Sequence, residues 1–344
     1  MGRINKRYRM MFIVLAMSLA LFFILDLAFG SVSIRLSELI HEILHRSDSE
    51  TATLIWKFRI PRVLTALFVG LALSLSGLQM QTLFRNPMAG PYVLGLSSGA
   101  SLGVALIILG FPAGLNTLNL HSSGDWLLVL SAWTGAGIVM LIMLLVSRHV
   151  RDIYVVLVIG LMLSGAVSAI VSLMQYFSNE SMLKTYVIWT MGSLGNLTGS
   201  QLKVLVISVS AGMLLSVLSV KMLNALLLGD SYAMSIGLNI RFARTVIFVC
   251  TCILAGSVTA FCGPIGFIGI AVPHIARNLF RTSDHFILIP GSMLTGAALM
   301  LASDLLSQAP GKGIVFPVNS ITSMIGIPVI FWVIFRLGRK TVTA

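Results

Sequence analysis

Residues 83–95 read LFRNPMAGPYVLG, and this short polar break decides how the rest of the chain is interpreted. It separates LTALFVGLALSLSGLQMQT (64–82) from LSSGASLGVALIILG (96–110), and neither run contains a charged residue. Pro87 and Pro91 lack a backbone N–H and disfavour helix in the residue that precedes each of them. The break therefore predicts a tight turn that joins two apolar helices.

The composition places these helices in a bilayer. Of the 344 residues, 57% are hydrophobic and only 10% are charged, whereas an ordinary soluble domain carries about 25% charged residues. A soluble fold cannot cover that much apolar surface, but a spanning helix needs roughly 20 mostly apolar residues. We therefore predict an all-α, polytopic membrane protein with a single transmembrane domain over residues 1–344. Ten spans are predicted, at about 9–29, 62–83, 91–112, 126–147, 153–177, 202–222, 244–262, 264–281, 286–308 and 314–336.

The distribution of Lys and Arg predicts the orientation, because short cytoplasmic loops are enriched in both residues. With the N-terminus inside, the inside segments hold fifteen of the 23 Lys and Arg residues, and both termini are therefore predicted to be cytoplasmic. The longest polar outside segment is then about 30–61, and the corresponding inside segment is about 223–243. The same bias explains the formal net charge of +12 and favours contact with anionic lipid. Nucleic acid is not an expected partner, because the basic residues are not gathered on one soluble surface.

The sequence HEILH (41–45) matches H-E-x-x-H, in which two His residues on one helix face bind zinc and the Glu acts as general base. A membrane zinc metalloprotease is therefore a rival hypothesis. The alternative is an amphipathic helix outside the membrane, with Glu42 and both His residues on its wetter side. A catalytic zinc usually needs a third protein ligand, and no later segment offers an obvious one, although Asp304 stays open. We favour the amphipathic helix and expect no metal site, no cofactor and no catalytic residue.

No phosphate loop of the form G-x-x-x-x-G-K-[ST] occurs in the sequence. PGKG (310–313) has the Lys of that motif but lacks the Ser or Thr that follows it. If ATP drives this protein, a separate subunit must bind the nucleotide. The three cysteines, Cys250, Cys252 and Cys262, match no metal or redox spacing and are interpreted as small apolar helix residues.

The inside segment LLLGDSYAMSIGLNI (226–240) predicts a short helix. Asp230 can cap its first turn, and Gly237 can end it after about two turns. Tyr232 and Met234 are then exposed, which favours a docking surface for another protein. An ordinary solvated loop is the alternative.

Three longer motifs carry a resemblance to a known family. They are FRIPRVLTALFVGLALSLSGLQMQTLFRNPMAGPYVLGLSSGASLG (58–103), LGDSYAMSIGLNIRFAR (228–244) and GPIGFIGIAVPHIAR (263–277). In this order and spacing they resemble the permease subunits of the iron-chelate, haem and vitamin B12 class of ABC importers (FecCD-type). The likeness runs from about residue 50 to the C-terminus and is far more specific than H-E-x-x-H.

The resemblance implies a type II importer in the bacterial cytoplasmic (inner) membrane. Its expected assembly is a homodimer of the permease with two cytoplasmic ATP-binding subunits and a periplasmic substrate-binding protein. In relatives, the loop that matches Asn86 and Met88 narrows the cytoplasmic end of the pathway, which implies a gate. Segment 228–244 matches the loop that contacts the ATPase, and the implied coupling residues are Leu228, Gly229, Asp230, Ala233 and Gly237.

Arginines at the outer surface of the family pair with acidic residues of the binding protein. Arg59 and Arg62 match two of these positions, and contact with lipid headgroups is the alternative for both. The third basic position of the family is occupied here by Gln308. Lys312 is the candidate that replaces it in docking.

A further set of residues is predicted to shape the helices or the pathway: Pro87, Gly95, Gly99, Pro273, His274, Arg277 and Asp304. Pro273 removes a helix hydrogen bond, so we expect a break or bend there, with His274 satisfying freed backbone groups. A carboxylate within a span, such as that of Asp304, marks either a functional site or a hydrogen bond between helices. We favour the hydrogen bond.

The function predicted from these observations is a permease that moves an iron-siderophore-type metal chelate from a periplasmic binding protein to the cytoplasm, without chemistry on it. Cobalamin or haem is the alternative substrate within the same family. The zinc metalloprotease is the alternative from another class.

Overall fold

The computed structural model describes residues 6–30, 34–45, 49–110, 124–150, 152–311 and 314–341. Most of these residues are helical. This part of the chain contains no β-strand, only an isolated bridge between Gly311 and Ile314. The all-α prediction is therefore confirmed.

The α-helices are numbered here in chain order. They are α1 (Lys6–Ala28), α2 (Leu36–His45), α3 (Glu50–Leu54), α4 (Ile60–Leu83), α5 (Leu96–Ile108), α6 (Gly124–His149), α7 (Ile153–Tyr176), α8 (Glu180–Thr190), α9 (Gly199–Leu218), α10 (Val220–Leu227), α11 (Asp230–Ser235), α12 (Ile240–Thr251), α13 (Ser257–Cys262), α14 (Ile268–Phe280), α15 (His285–Gln308) and α16 (Val318–Thr341). A π-helix, Ile55–Arg59, joins α3 to α4, and another, Cys252–Gly256, joins α12 to α13. A short 3₁₀ helix, Pro91–Leu94, precedes α5.

Short polar side chains begin several of these helices, because the first backbone N–H groups of a helix have no partner inside it. Asp152, Asn179 and Asp284 each accept a hydrogen bond from a backbone N–H in the first turn of α7, α8 and α15, at 2.8, 3.1 and 3.0 Å. A cap of this kind typically contributes about 1 kcal/mol to stability. The caps lie in the polar breaks that the sequence placed between apolar runs.

Seven helices among the described residues are long and apolar enough to cross a membrane. They are Lys6–Ala28, Glu50–Leu83, Trp126–His149, Ile153–Tyr176, Gly199–Leu218, Ile240–Cys262 and His285–Gln308. The polytopic prediction is confirmed, but three of the ten predicted spans have shorter helical or apolar parts, at Leu96–Ile108, Ile268–Phe280 and Val318–Val333. The first two are shortened because Gly- and Pro-rich segments before them are not α-helical.

The break expected at Pro273 does not occur, because helix α14 continues through Pro273 without interruption. The bend that was the other expectation there stays a prediction. The non-helical residues lie at 263–267, just before α14. Gly263 (φ 74°) and Phe267 (φ 65°) both have positive φ there, a region that favours glycine and is uncommon for a side chain such as Phe. The chain therefore turns at 263–267 and enters α14 with its proline already inside the helix.

Large apolar side chains cover the outside of several helices. α7 exposes Leu161, Met162 and Leu173, and α1 exposes Met17 and Leu21. A soluble monomer rarely exposes apolar faces of this extent. Such faces fit lipid or another protein chain, in agreement with the membrane assignment.

The described contacts divide the chain into two compact units. The first comprises Met1–Leu75, Ser193–Val206 and Gly266–Ala344. Within it, α4 and α15 pack backbone against backbone, because a Cβ atom at Gly70 would lie 2.4 Å from the carbonyl oxygen of Gly296. Small residues at such crossings are typical of helix packing in lipid.

The second unit comprises Ser76–Gly192 and Ile207–Ile265. Its central packing is between α5 and α6, where a Cβ atom at Gly99 would lie 2.5 Å from the carbonyl oxygen of Gly135. Gly95, at φ 82°, forms the left-handed junction between the 3₁₀ helix and α5. This division does not test whether residues 1–344 form a single domain, which stays a prediction.

Candidate coupling site

The coupling segment, residues 226–244, contains the short helix α11 that the sequence predicts. Gly229 precedes α11 with φ 110° and ψ 151°, a conformation that is almost restricted to glycine. The helix ends in a two-bond C-terminal motif, in which the N–H of Gly237 donates to the Met234 carbonyl and that of Leu238 donates to the Ala233 carbonyl, both at 2.9 Å. Gly237 has φ 87°, which is the left-handed value that this motif requires.

Large apolar side chains on α11 and beside it are exposed. Leu228, Tyr232, Met234 and Ile236 expose between 50% and 64% of their surface, whereas Ala233 is completely buried. These four residues, called here the apolar patch on α11, lie within nine positions, and water solvates them poorly. The patch therefore has the character of a protein-contact surface, as the sequence predicts for Tyr232 and Met234.

The prediction that Asp230 caps α11 is wrong. Gly229 occupies the N-cap position, and no side chain accepts a capping hydrogen bond there. The Asp230 carboxylate instead bridges two arginines: Oδ1 accepts from Arg85, and Oδ2 accepts from Arg244 at 3.1 Å. Two guanidinium donors attract the carboxylate more strongly than backbone amides do, because both partners of each bond then carry a charge.

Arg85 belongs to the gate turn, which is defined here as residues 84–90. Its φ of 46° is left-handed, and its guanidinium also donates to the Leu226 carbonyl at 3.3 Å. Within the turn, the side-chain oxygen of Asn86 accepts from the Met88 N–H at 2.9 Å, so the amide fixes the local backbone. Both Asn86 and Met88 are half-buried.

An ionic bridge therefore joins the gate turn to the coupling segment. The sequence indicates functional residues in both places but not this connection, because Arg85 and Asp230 are 145 positions apart. Arg244, which is almost fully buried, was missed as well. The available signal was that Asp230 is the only acidic residue in the segment LGDSYAMSIGLNIRFAR (228–244), which also carries two arginines.

A second group, called here the outer cluster, consists of the charged residues Asp26, Arg62 and Asp304 and the neutral amide Gln308. The Arg62 guanidinium donates three hydrogen bonds to the fully buried Asp304 carboxylate, at 2.7, 2.9 and 3.1 Å. The Gln308 amide donates to Asp26 at 2.9 Å and to Asp304 at 3.0 Å. The favoured interpretation of Asp304 as a hydrogen bond between helices is confirmed, with Arg62 on α4 as its partner.

Arg59 is also engaged inside the first unit. Its guanidinium donates to the carbonyl oxygens of Leu27 (2.5 Å) and Ala28 (2.9 Å), which end α1 and have no partner within that helix. The predicted docking function of Arg59 and Arg62 stays a prediction, and both side chains have intrachain partners that the sequence did not reveal. Lys312 lies outside the described residues.

The HEILH segment forms helix α2, as the amphipathic interpretation predicts. Glu42 is buried rather than on the wetter side, because its carboxylate accepts a hydrogen bond from Ser49 at 2.8 Å. Ser49 in turn caps α3 through the Ala52 N–H. The rings of His41 and His45 stack with centroids 4.7 Å apart. Among the described residues, no group of three His, Cys, Asp or Glu side chains is placed to hold a metal ion.

The remaining predicted residues lie within packed helices. His274 and Arg277 are half-buried on α14, and Pro273 is buried beside them. Pro87 lies half-buried in the gate turn. Their assignment to the pathway stays a prediction.

Comparison with known proteins places the chain among transport permeases. A model of the FecCD transport family matches residues 18–336. The hemin transport system permease protein HmuU of Yersinia pestis is 35% identical over 339 residues, which cover 97% of both chains. The vitamin B12 import system permease protein BtuC of Escherichia coli (strain K12 / DH10B) is 34% identical over 285 residues, covering 83% of this chain and 84% of BtuC.

The fold has a counterpart among solved structures. A metal-chelate type ABC transporter in an inward-facing conformation superimposes with a TM-score of 0.81 and 29% identity, covering 94% of this chain and 98% of that one. The likeness therefore extends over both compact units and both candidate sites.

Proposed function

The chain belongs to the FecCD transport family, and from this premise we propose that it forms the translocation pathway of an ATP-driven importer for an iron-siderophore-type metal chelate. It is a permease subunit of an ABC importer and not an enzyme, and it is a multi-pass protein of the inner membrane. Haem and cobalamin are the alternative substrates, because relatives named for hemin and vitamin B12 transport match most of this chain.

The proposed assembly has two permease chains, two ATP-binding subunits and a substrate-binding protein. A second permease chain is supported by the exposed apolar face of α7, which the described residues leave uncovered. The ATP-binding subunits are assigned to the apolar patch on α11, and the binding protein to the outer arginines Arg59 and Arg62. Lys312 is proposed as a third docking residue.

The observation that carries this function is the bridge between Arg85, Asp230 and Arg244. A subunit bound to α11 changes the state of the pathway only if it contacts the two states differently. Asp230 begins α11, and Arg85 lies in the turn that contains Asn86 and Met88. Movement of α11 is therefore transmitted to the proposed gate through one carboxylate and two guanidinium groups.

The experiment is Asp230→Asn in the complex of permease and ATP-binding subunits, reconstituted in proteoliposomes with the binding protein. Asp230 and Arg85 are about one third exposed, so solvent weakens the bridge, and we expect ATP-dependent uptake to fall about fivefold. ATP hydrolysis should continue, since the patch on α11 is unchanged. Asp152→Asn is the matched control, because Asp152 is a helix cap outside the bridge and Asn also caps well.

If ATP hydrolysis by the Asp230→Asn complex still drives uptake at the parent's rate, the bridge has no role in the mechanism. The substrate is tested in the same vesicles with a ferric siderophore, haem and cobalamin. ATP-dependent uptake of haem or cobalamin, without uptake of the siderophore, would replace the proposed substrate with one of the alternatives.

Docking is tested by reversing Arg59 and Arg62 to Glu. Capture of the binding protein should weaken, and the difference should be larger at low salt because electrostatic attraction between the two proteins is then less screened. The reversal also breaks the pair of Arg62 with the buried Asp304, so the matched control is Asp304→Asn, which breaks the same pair and keeps both arginines. Capture and basal ATP hydrolysis should remain in that control. Unchanged capture in the reversed variant would restrict both arginines to their contacts inside the chain.

A further inference from the structure

A cavity of about 320 Å³ lies between α5, α7 and α8 in the second unit, away from the coupling segment. Its lining consists of five serines, one glutamine, one tyrosine and one valine. None of these lining residues carries a charge. Polar side chains are costly inside a bilayer, and those that occur there often mark a substrate path.

The packing of α5 directs its serines into this cavity. Gly99 lies against the backbone of α6, where a Cβ atom would be 2.5 Å from the Gly135 carbonyl oxygen. Ser97 and Ser101 are each two positions from Gly99, which places them about 200° around the helix from it. The close contact with α6 on one side of α5 therefore holds both hydroxyl groups on the opposite side.

Helix α7 supplies the facing wall. Ser168, Ser172 and Gln175 are spaced by four and three positions, so they share one helix face. On α8, Tyr186 is almost fully buried and hydrogen-bonds Ser101. Burial raises the pKa of Tyr186, and its phenol therefore stays protonated at neutral pH. Three helices thus present hydroxyl and amide groups to one space.

Three of the five serine hydroxyls of this cavity differ from those of most helical serines, whereas Ser172 donates to the Ser168 carbonyl at 3.0 Å and Ser101 is hydrogen-bonded to Tyr186. Ser164, one turn before Ser168 on α7, does not line the cavity, and it donates to the Gly160 carbonyl at 2.9 Å, which is how a serine within a helix usually satisfies its hydroxyl. Among the residues that the structure describes, the hydroxyls of Ser97, Ser98 and Ser168 have no such partner. They are available to a ligand.

We propose that this cavity is a binding site on the substrate path for the amide groups and metal-bound hydroxamate oxygens at the rim of a metal chelate that carries no free carboxylate. The proposal rests on the proposed importer function and specifies its substrate class. A serine hydroxyl both donates and accepts, and therefore complements a C=O or an N–H group equally well. A carboxylate in the same place would lack a cationic partner in the lining, which makes its burial unfavourable.

The size of the cavity defines what part of the chelate it holds. Pockets for whole ligands range from about 300 to 1,000 Å³, and this one is at the small end of that range. It therefore receives part of the rim of a chelate and leaves the rest outside. A weak, partial contact of this kind suits a path, because the substrate must also leave.

Occupancy is measured by thiol labelling of Ser168→Cys in the full complex with its ATP-binding subunits and binding protein. The control is Tyr154→Cys, which is exposed at the start of the same helix but does not line the cavity. During turnover, a ferric trihydroxamate or cobalamin, whose rims carry amide-type groups, should slow labelling at position 168 and leave position 154 unchanged. Haem, with two carboxylates, should not protect position 168.

The energetic test uses two single variants, Ser97→Ala and Ser168→Ala. Each lost hydrogen bond should lower uptake at subsaturating chelate by about twofold to tenfold. Ser164→Ala is the control, because its hydroxyl is already bound to a backbone carbonyl. ATP hydrolysis, assembly and uptake should all be unchanged in Ser164→Ala.

The outcomes separate this site from the proposed function. ATP-dependent uptake without protection at position 168 would overturn the site and leave the importer intact. Equal protection by haem would overturn the assignment of the ligand class. Failure of every chelate to be taken up would contradict the importer function, and the site with it.

Discussion

Replacing Asp304 with Asn tests whether the outer cluster stabilises the protein as an ion pair. Asp304 is fully buried, and its carboxylate accepts three hydrogen bonds from Arg62 at 2.7–3.1 Å. Asn preserves the shape of the side chain but has one acceptor oxygen and no charge. The guanidinium of Arg62 then keeps its charge in a mostly buried place without the carboxylate that binds it.

Removing one partner of a buried ion pair costs about 3–5 kcal/mol. Because 18% of the Arg62 side chain is exposed, water offsets part of this cost, and we expect about 3 kcal/mol. For a chain of this length, such a loss lowers the Tm by about 5 °C. The assay is thermal unfolding of the purified permease in detergent. The fraction of protein that remains monodisperse is measured at each temperature and gives the Tm.

The combined variant Asp304→Asn and Arg62→Gln is the matched control. It removes both charges of this pair, and it should recover most of the lost stability because no buried guanidinium is left without its carboxylate. A single variant with the parent's Tm, or a double variant no more stable than the single one, would refute the ion-pair interpretation. Arg62 would then be available to the binding protein.

Three other predictions concern different parts of the chain. Gly237→Pro should abolish uptake while the protein still inserts into the membrane, because Pro holds φ near −65° whereas Gly237 has φ 87°. Normal transport by a variant complex that retains its ATP-binding subunits would remove this segment from the mechanism. Glu42→Gln should leave uptake nearly intact, with no stoichiometric zinc by metal analysis, and bound zinc with proteolysis lost in the variant would restore the protease. Gly99→Ala should destabilise the permease by about 1–3 kcal/mol through overpacking, whereas Gly137→Ala, which meets nothing within 4 Å, should be neutral in the same thermal assay.

The membrane class and the helix positions were predictable from the sequence. Each of the ten predicted spans contains a helix, because continuous apolar runs and Pro- or Gly-rich breaks act locally. The end of α11 at Gly237 was predictable for the same reason, since a left-handed terminus selects glycine at one position. The lengths of the spans were less accurate, because residues 84–95 and 263–267 turn within the apolar regions.

Local patterns were misleading where a side chain had a choice of partners. Asp is a common helix cap and Glu is usually exposed to water, so local patterns assign Asp230 and Glu42 to those environments. Each is instead bound by donors from another element, Asp230 by Arg85 and Arg244 and Glu42 by Ser49. Helical periodicity does not show which polar groups tertiary packing brings within 3 Å.

The sequence by itself determined that this chain is a bundle of apolar helices with the motifs of a transport family, because hydrophobic periodicity and glycine and proline geometry are properties of short segments. Only the tertiary structure decided the ionic partners of the functional candidates. Arg62 and Asp304 are 242 positions apart, and Arg85 and Asp230 are 145 apart. The hydroxyl-lined cavity likewise requires three helices to meet. These pairings depend on which helix faces pack together, which is decided by close contacts such as those of Gly99 with Gly135 and Gly70 with Gly296.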